Sequence, residues 1–377
     1  MNKIKKIILW LVVVVIVIAG IWYGASRKLA TVTEKGPIKI GAILALTGEA
    51  AVWGQNAKTG IELAKEEINE KGGISGRKIE VIYEDSQCDP KTGVSAAQKL
   101  ITVDKVQVII GDVCSSVTLA IAPIANQNKV VLITPGSSAD SISQAGEYIF
   151  RNYPKNSQFL GKVIELIEKL DKKKIAILFV NNDYGVGLKD YALQKISKEK
   201  IVLVEGHNQK ETDFRTTLAK LKSINPDAVI LATYYEDGSL ILKQAKEMKI
   251  NTLFLGTDAF DDPKVIEIAK EAAEGLVLST VKPGAGPKFL EFKKAYLQKY
   301  NKEPVILSDF AYDTLNIIAE AIKKGNHKGE NIKNYFYSIK NFQGASNLIS
   351  FDENGDLINP SFTLKTIKNG QFVPYEK

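Results

Sequence analysis

The chain has 377 residues, 45% hydrophobic and 25% charged, with a formal net charge of +7. That length can bury two cores of ordinary size, and there is no low-complexity tract to suggest disorder. Five positive charges and no acid fall in residues 1–28, which leaves +2 for the rest and no electrostatic footprint for a nucleic acid.

Residues 7–25 are 19 positions without a charge. As a helix they would extend roughly 28 Å, close to the thickness of a bilayer core. Lys3, Lys5 and Lys6 precede them, so the N-terminus is expected to stay inside and the body to be exported. The apolar run exceeds the roughly 7–15 residues usual in a cleaved signal, which favours a retained anchor over residues 1–28, with cleavage as the alternative. Only six residues precede the run, and no cysteine lies near its end for lipid attachment. A linker over residues 29–36 follows.

From Pro37 onward, apolar strands alternate with amphipathic helices. Ile38–Leu46 reads as a strand, and Gln55–Glu70 as a helix stopped by Gly72-Gly73. Ile79–Tyr83 is the next strand. Asp89-Pro90 then opens a helix, with aspartate as cap and proline in the first turn. Val106–Ile110, Ser115–Asn128 and Val130–Thr134 give strand, helix and fourth strand. The pattern restarts with helix Gln158–Leu170, followed by strands Lys174–Val180, Ile201–Glu205, Ala228–Ala232, Leu253–Leu255 and Leu276–Thr280. Between these strands lie helices Tyr184–Ser197, Phe214–Ile224, Gly238–Lys249 and Pro263–Ala272. Helices Pro287–Tyr300, Ser308–Lys323 and Asn331–Ile339 follow, then short strands Leu348–Phe351, Phe362–Ile367 and Gln371–Tyr375. Two series of this kind predict two doubly wound α/β lobes with parallel sheets. One lobe is assigned residues 37–154 and 283–343, the other 155–282 and 344–377. Crossings near Tyr153–Asn156, Lys282–Gly286 and Phe342–Ala345 would form a multi-strand hinge.

Ligands of open parallel sheets bind beyond the carboxyl ends of the strands. In the first series those ends carry Trp53, Cys114-Ser115-Ser116 and Thr134-Pro135-Gly136-Ser137-Ser138. In the second they carry Tyr184, Tyr234 and Asp258. One lobe thus offers hydroxyls and backbone amides, the other aromatics and an acid, a division that suits a zwitterionic amino acid. Ser115 would open a helix, whose free N–H groups attract a carboxylate. Ser138 would add a hydroxyl, and Asp258 would pair with an ammonium. Trp53, Tyr184 and Tyr234 would wall an apolar side chain. Taken singly, each serine and Asp258 also reads as a helix cap, and each aromatic as packing. None of the four arginines, Arg27, Arg77, Arg151 and Arg215, follows a strand at the cleft.

The two cysteines, Cys88 and Cys114, suggest one disulfide in an exported protein, with two buried thiols as the alternative. His207 and His327 have no companions at ligand spacing, so no metal or other cofactor is expected. Phosphate-binding glycine loops are missing from the sequence, and two scattered histidines give a catalytic triad little to draw on. A binding protein is therefore expected rather than an enzyme.

Ile38-Lys39-Ile40-Gly41 with Leu46-Thr47-Gly48, Gly72-Gly73-Ile74-Ser75-Gly76-Arg77-Lys78, Cys88-Asp89-Pro90, Cys114-Ser115-Ser116, Ile133-Thr134-Pro135-Gly136 and Tyr184-Gly185-Val186-Gly187-Leu188 together make this chain resemble the leucine/isoleucine/valine-binding protein family. The resemblance covers roughly residues 37–375. It implies a type I periplasmic-binding-protein fold and a monomeric receptor that passes an amino acid to the permease of an ABC-type importer. The alternatives are a ligand-sensing receptor of the same fold and a receptor for small amides. The six residues before the apolar run leave no room for a cytoplasmic signalling domain, which favours transport over sensing. It also implies a Cys88–Cys114 disulfide, carboxylate recognition by Ser115 and Ser138, and ammonium recognition by the Gly136 carbonyl and Asp258. Trp53, Tyr184, Tyr234 and Tyr312 match positions lining the side-chain pocket. Asp258 stands where the family pattern leads one to expect a glutamate, Ser138 a threonine and Trp53 a tyrosine, which bears on which amino acid fits.

Overall fold

A computed structural model describes Trp10, residues 12–17, 36–48 and 50–376. The expected membrane span over residues 7–25 falls mostly outside them, and among the described residues no helix is long and apolar enough to cross a membrane. The unit from Ile38 to Lys377 carries both large sheets and a two-stranded one.

The first sheet has five parallel strands in the order β2-β1-β3-β4-β5: Ile79–Asp85, Ile38–Leu44, Val108–Gly111, Val131–Thr134 and Ile149–Arg151. Its central strands are buried along their length, as expected of strands covered by helices on both faces. The order reverses between β1 and β3, so the loops after these two strands open a crevice at one sheet edge. The fifth strand lies outside the sequence reading. Three residues after a glycine turn are too few for a periodic signal.

The second sheet runs β14-β13-β10-β9-β8-β6-β7. Five of its strands are parallel: β6 (Ile175–Val180), β7 (Ile201–His207), β8 (Ala228–Ala232), β9 (Leu253–Gly256) and β10 (Val277–Val281). The tail adds β13 (Phe362–Lys368) and β14 (Gln371–Pro374) as antiparallel edge strands. Here the order reverses between β6 and β8, which creates a second crevice.

Two of the three expected crossings lie where the sequence placed them, between Arg151 and Asn156 and between Val281 and Pro287. The third does not. Residues 342–343 and 348–349 pair with each other as β11 and β12, and the segment after them stays with the first sheet. Phe351 packs on Phe150 with ring centroids 5.5 Å apart, and the buried Arg151 guanidinium donates through Nε to Asp356 at 3.0 Å. The chain therefore passes to the second sheet after Leu357, not at Phe342–Ala345. A buried ion pair and an aromatic cluster outweigh the loss of regular structure that made 342–345 look like a junction.

Candidate functional site

The loops of the two crevices face each other. After β1, helix α1 (Ala51–Glu70) carries Trp53 in its first turn. A Cβ on the neighbouring Gly54 would sit 1.9 Å from the Ala45 carbonyl oxygen, so only glycine lets this turn lie against the strand end. Trp53 is thereby held, buried, over the space between the lobes.

The loop after β3 is built around Asp112. Its backbone carbonyl accepts hydrogen bonds from the hydroxyls of Thr134 at 2.6 Å and Ser137 at 2.8 Å. Its carboxyl group accepts from the Cys114 N–H at 2.6 Å and the Ser86 hydroxyl at 2.6 Å. Burial pushes the Asp112 carboxyl up to about 7, so hydrogen bonds rather than a cation hold it. The Cys88–Cys114 disulfide is formed, with Cα atoms 5.6 Å apart, and anchors the same loop. Ser115 begins the helix over Ser115–Gln127, and no side chain caps that helix at Cys114. Its Oγ accepts from the Ala139 N–H at 3.1 Å, which leaves its own proton to donate into the cleft. Ser138 is also buried at the cavity, and its carbonyl accepts from the Asn156 N–H at 2.6 Å. At Gly136 a Cβ would stand 3.1 Å from Leu307 Cδ1, so a side chain would crowd the cavity wall.

From the second lobe, Asn182 caps the helix over Asp183–Lys195 by accepting from the Gly185 N–H at 3.1 Å, which fixes Tyr184 on the first turn. The Tyr184 ring stacks on Tyr234 at 5.1 Å, and its hydroxyl shares a hydrogen bond with Thr257 Oγ1 at 2.7 Å. Trp53 meets Tyr234 edge-on at 5.2 Å, a contact between loops of the two sheets. Asn56 Nδ2 donates to Asp262 Oδ2 at 3.3 Å across the same divide. The lobes are closed on each other.

Asp258 follows β9 and is buried. Its Oδ2 accepts from the Tyr153 hydroxyl at 2.7 Å, while Oδ1 is buried without a hydrogen-bond partner. Burial, reinforced by the negative charge of Asp261, pushes its carboxyl up to about 7 against the opposing pull of the Tyr153 and Thr257 hydroxyls. An ionised Oδ1 here needs a cation, and the site supplies none of its own.

The space between these groups is about 350 Å³, its open mouth included, and is lined by Trp53, Ser115, Gly136, Ser138, Tyr184, Tyr234 and Asp258. Seven of the eight residues expected at the ligand site therefore meet around one cavity. Tyr312 does not. It lies in a separate open groove, donating to Glu67 Oε2 at 2.8 Å and packing on Phe292 at 5.0 Å. The chain reaches the cavity one turn earlier, through Ile306 and Leu307, and Tyr312 then points from its helix toward α1. The groove around Tyr312, about 1180 Å³, and another beside Phe289, about 1480 Å³, are larger, and both are lined by lysines and acids. Val113, Ala259, Ile306, Leu307 and Tyr153 complete the lining and were not among the sequence candidates. Only Tyr153 carried a signal, as an aromatic residue within an expected crossing.

The profile described as periplasmic binding protein matches residues 37–371. A leucine-, isoleucine-, valine-, threonine- and alanine-binding protein of Pseudomonas aeruginosa is 29% identical over 334 residues, covering 87% of this chain and 89% of that one. The Leu/Ile/Val-binding protein of Escherichia coli K12 is 32% identical over 249 residues, covering 65% and 68%. Among solved structures, a leucine-binding protein of Thermotoga maritima superposes with a TM-score of 0.83 at 31% identity, covering 90% of this chain and 98% of that one. A branched-chain amino acid transporter substrate-binding protein of Streptococcus pneumoniae, solved with isoleucine, gives 0.82 at 30% identity, covering 89% and 97%.

Proposed function

Because the chain belongs to the Leu/Ile/Val-binding protein family of periplasmic binding proteins, we propose that it is a receptor that closes on a small aliphatic amino acid and delivers it to an ABC-type importer. The family is one of extracytoplasmic solute-binding receptors, not of enzymes. The observation that carries the reading is the buried, unpartnered Oδ1 of Asp258, facing a cavity whose opposite wall offers the hydroxyls of Ser115 and Ser138.

An amino acid fits this polarity in one orientation. Its carboxylate would take the Ser115 and Ser138 hydroxyls and the start of the Ser115–Gln127 helix, where the helix dipole favours an anion. Its ammonium would neutralise Asp258 and donate to the Gly136 carbonyl. Trp53, Tyr184 and Tyr234 would surround the side chain, and the apolar Val113, Ile306 and Leu307 suit an aliphatic one. Such a ligand touches both lobes, so it binds the closed arrangement better than an open one and shifts the population toward the state a permease reads. Residues 37–154 and 283–357 would move as one lobe and the remainder as the other. The apolar run over residues 7–25 would tether this monomeric receptor to the cytoplasmic membrane on its outer side.

Thermal unfolding of the full chain with each of the twenty amino acids and a few small amides tests the reading. A ligand present at about 100 times its Kd adds about 2.7 kcal/mol of stability. Leucine, isoleucine or valine is expected to raise the melting midpoint. A shift with small amides alone would leave a receptor but discard the amino-acid assignment. Membrane fractionation tests the tether, which fails if the mature protein is released without its first 28 residues.

A further inference from the structure

The crossing between the first and second sheets does more than join them. Tyr153 lies on it, fully buried, with its ring wedged between Phe159 at 5.6 Å and Phe310 at 5.1 Å. Phe159 belongs to the helix that packs on the second sheet, and Phe310 to a helix that packs on α1 beside the first. The hydroxyl at the end of this wedge donates to Asp258 Oδ2 at 2.7 Å. Three residues on, Asn156 ties the same crossing to both walls of the cleft. Its N–H donates to the Ser138 carbonyl at 2.6 Å, and its Nδ2 to the Tyr184 carbonyl at 3.0 Å. One short segment at the pivot is therefore bonded to the loops expected to hold carboxylate, side chain and ammonium.

Resting on the ligand reading above, we propose that Tyr153 is a positioning residue that holds one oxygen of Asp258 so that the other faces the ligand ammonium, linking the hinge crossing to ammonium capture. A carboxylate that has spent one oxygen on a fixed hydroxyl keeps a single orientation for the second. The wedge lets Tyr153 sense lobe rotation, because its ring contacts change when Phe159 and Phe310 separate. The short Asp258 side chain cannot follow a displaced partner, so opening the hinge would release the orientation along with the ligand. The other groups facing this carboxyl are the hydroxyls of Thr257 and Tyr184 and the carboxylate of Asp261. Asp261 is itself paired with Lys365 at 2.8 Å. Thr257 also favours the ionised carboxyl, and Tyr153 is the group whose hydroxyl donates to Oδ2.

Tyr153→Phe keeps the ring and removes the hydroxyl, and two readouts of the full chain test its role. The first is ligand-free: the carbon-13 signal of the Asp258 carboxyl, assigned with Asp258→Asn, is titrated by NMR. Loss of the hydroxyl should move its midpoint upward, because a hydrogen bond that favours the ionised form has gone. The second is the affinity for L-leucine as a function of pH. The variant should bind about 10- to 100-fold more weakly near neutral pH, the loss shrinking at higher pH as Asp258 ionises. An unmoved carboxyl midpoint in a variant with parental melting behaviour overturns the proposal. So does parental affinity with a parental pH profile. Failure of the parent to bind leucine or any other amino acid would overturn the ligand reading instead, while the NMR titration would still decide whether Tyr153 sets the state of Asp258. Tyr153→Leu, which disturbs the wedge, separates packing from hydrogen bonding. If it reproduces the Tyr153→Phe midpoint while melting lower, the hydroxyl alone governs the carboxyl.

Discussion

The two walls of the cleft solve different problems. On the first, every polar group around Asp112 is bonded to a neighbour, and a disulfide closes the loop. Its surface toward the cavity is neutral: serine hydroxyls and the start of a helix. The second wall leaves a carboxyl oxygen buried and unpartnered. A neutral anion cradle can be finished before a ligand arrives, because its donors cost little to hold in place. A buried acid cannot, since its charge is unfavourable until a cation comes. On the proposed ligand reading, the difference would place the energetic trigger for closure on the second wall and the rigid template on the first.

The largest effect should follow from removing the trigger. Asp258→Ala leaves a buried ammonium without its counter-charge, and binding should fall by about 3–5 kcal/mol, a hundred- to several-thousand-fold by calorimetric titration. The same change should not weaken the ligand-free fold at pH 8, where the parent must bury an ionised carboxyl. Parental affinity in this variant would mean that the second wall is not the trigger.

Opening the template's staple comes next. Replacing Cys88 and Cys114 by serine should cost about 2–4 kcal/mol of unfolding free energy in urea titrations, with a smaller change in ligand affinity. Ser115→Ala should weaken binding by about tenfold or more, the size of a hydrogen bond to a charged group, with melting nearly unchanged. If it acts mainly on melting, Ser115 is a helix cap and the first wall is no cradle.

pH separates the walls further. The Asp258 and Asp112 carboxyls sit at about 7 in the folded chain, well above the usual unfolded value of about 3.9. Between about pH 4 and 7 the folded state therefore holds protons that the unfolded state has lost, so ligand-free stability should fall as pH rises through that window. A bound ammonium cancels the Asp258 share only. Melting curves with saturating ligand should accordingly show a shallower decline, and Asp258→Asn without ligand should behave similarly. The smallest effect is expected at Tyr312, which lies in its own groove. Tyr312→Phe should change affinity by less than about twofold, within the range of surface changes.

The sequence made the alternation of strands and helices legible because buried parallel strands are continuous apolar runs, as in Ile175–Val180 and Ala228–Ala232. Placing candidates at strand ends found six cavity residues, since the crevices arise from strand order rather than from any local motif, and the family resemblance added Gly136. What it missed depends on distant partners. β5 is three residues long and is specified by pairing with β4. The last crossing is displaced by Asp356 seeking Arg151, 205 positions away. Tyr153 stands in an expected crossing and Tyr312 inside an expected helix, and packing against Phe310 in the first case and Phe292 in the second sends one to Asp258 and the other to the surface groove.

Proton release on binding tests the central claim most directly. At pH 6 the Asp258 carboxyl of the ligand-free protein should be mostly protonated, and a bound ammonium should force it to ionise. Calorimetric titration with leucine in buffers of different ionisation enthalpy should therefore count most of one proton released per ligand, and none in Asp258→Asn. Binding of leucine to the parent with no proton released would contradict the account, because Asp258 would then not be the group that meets the ammonium.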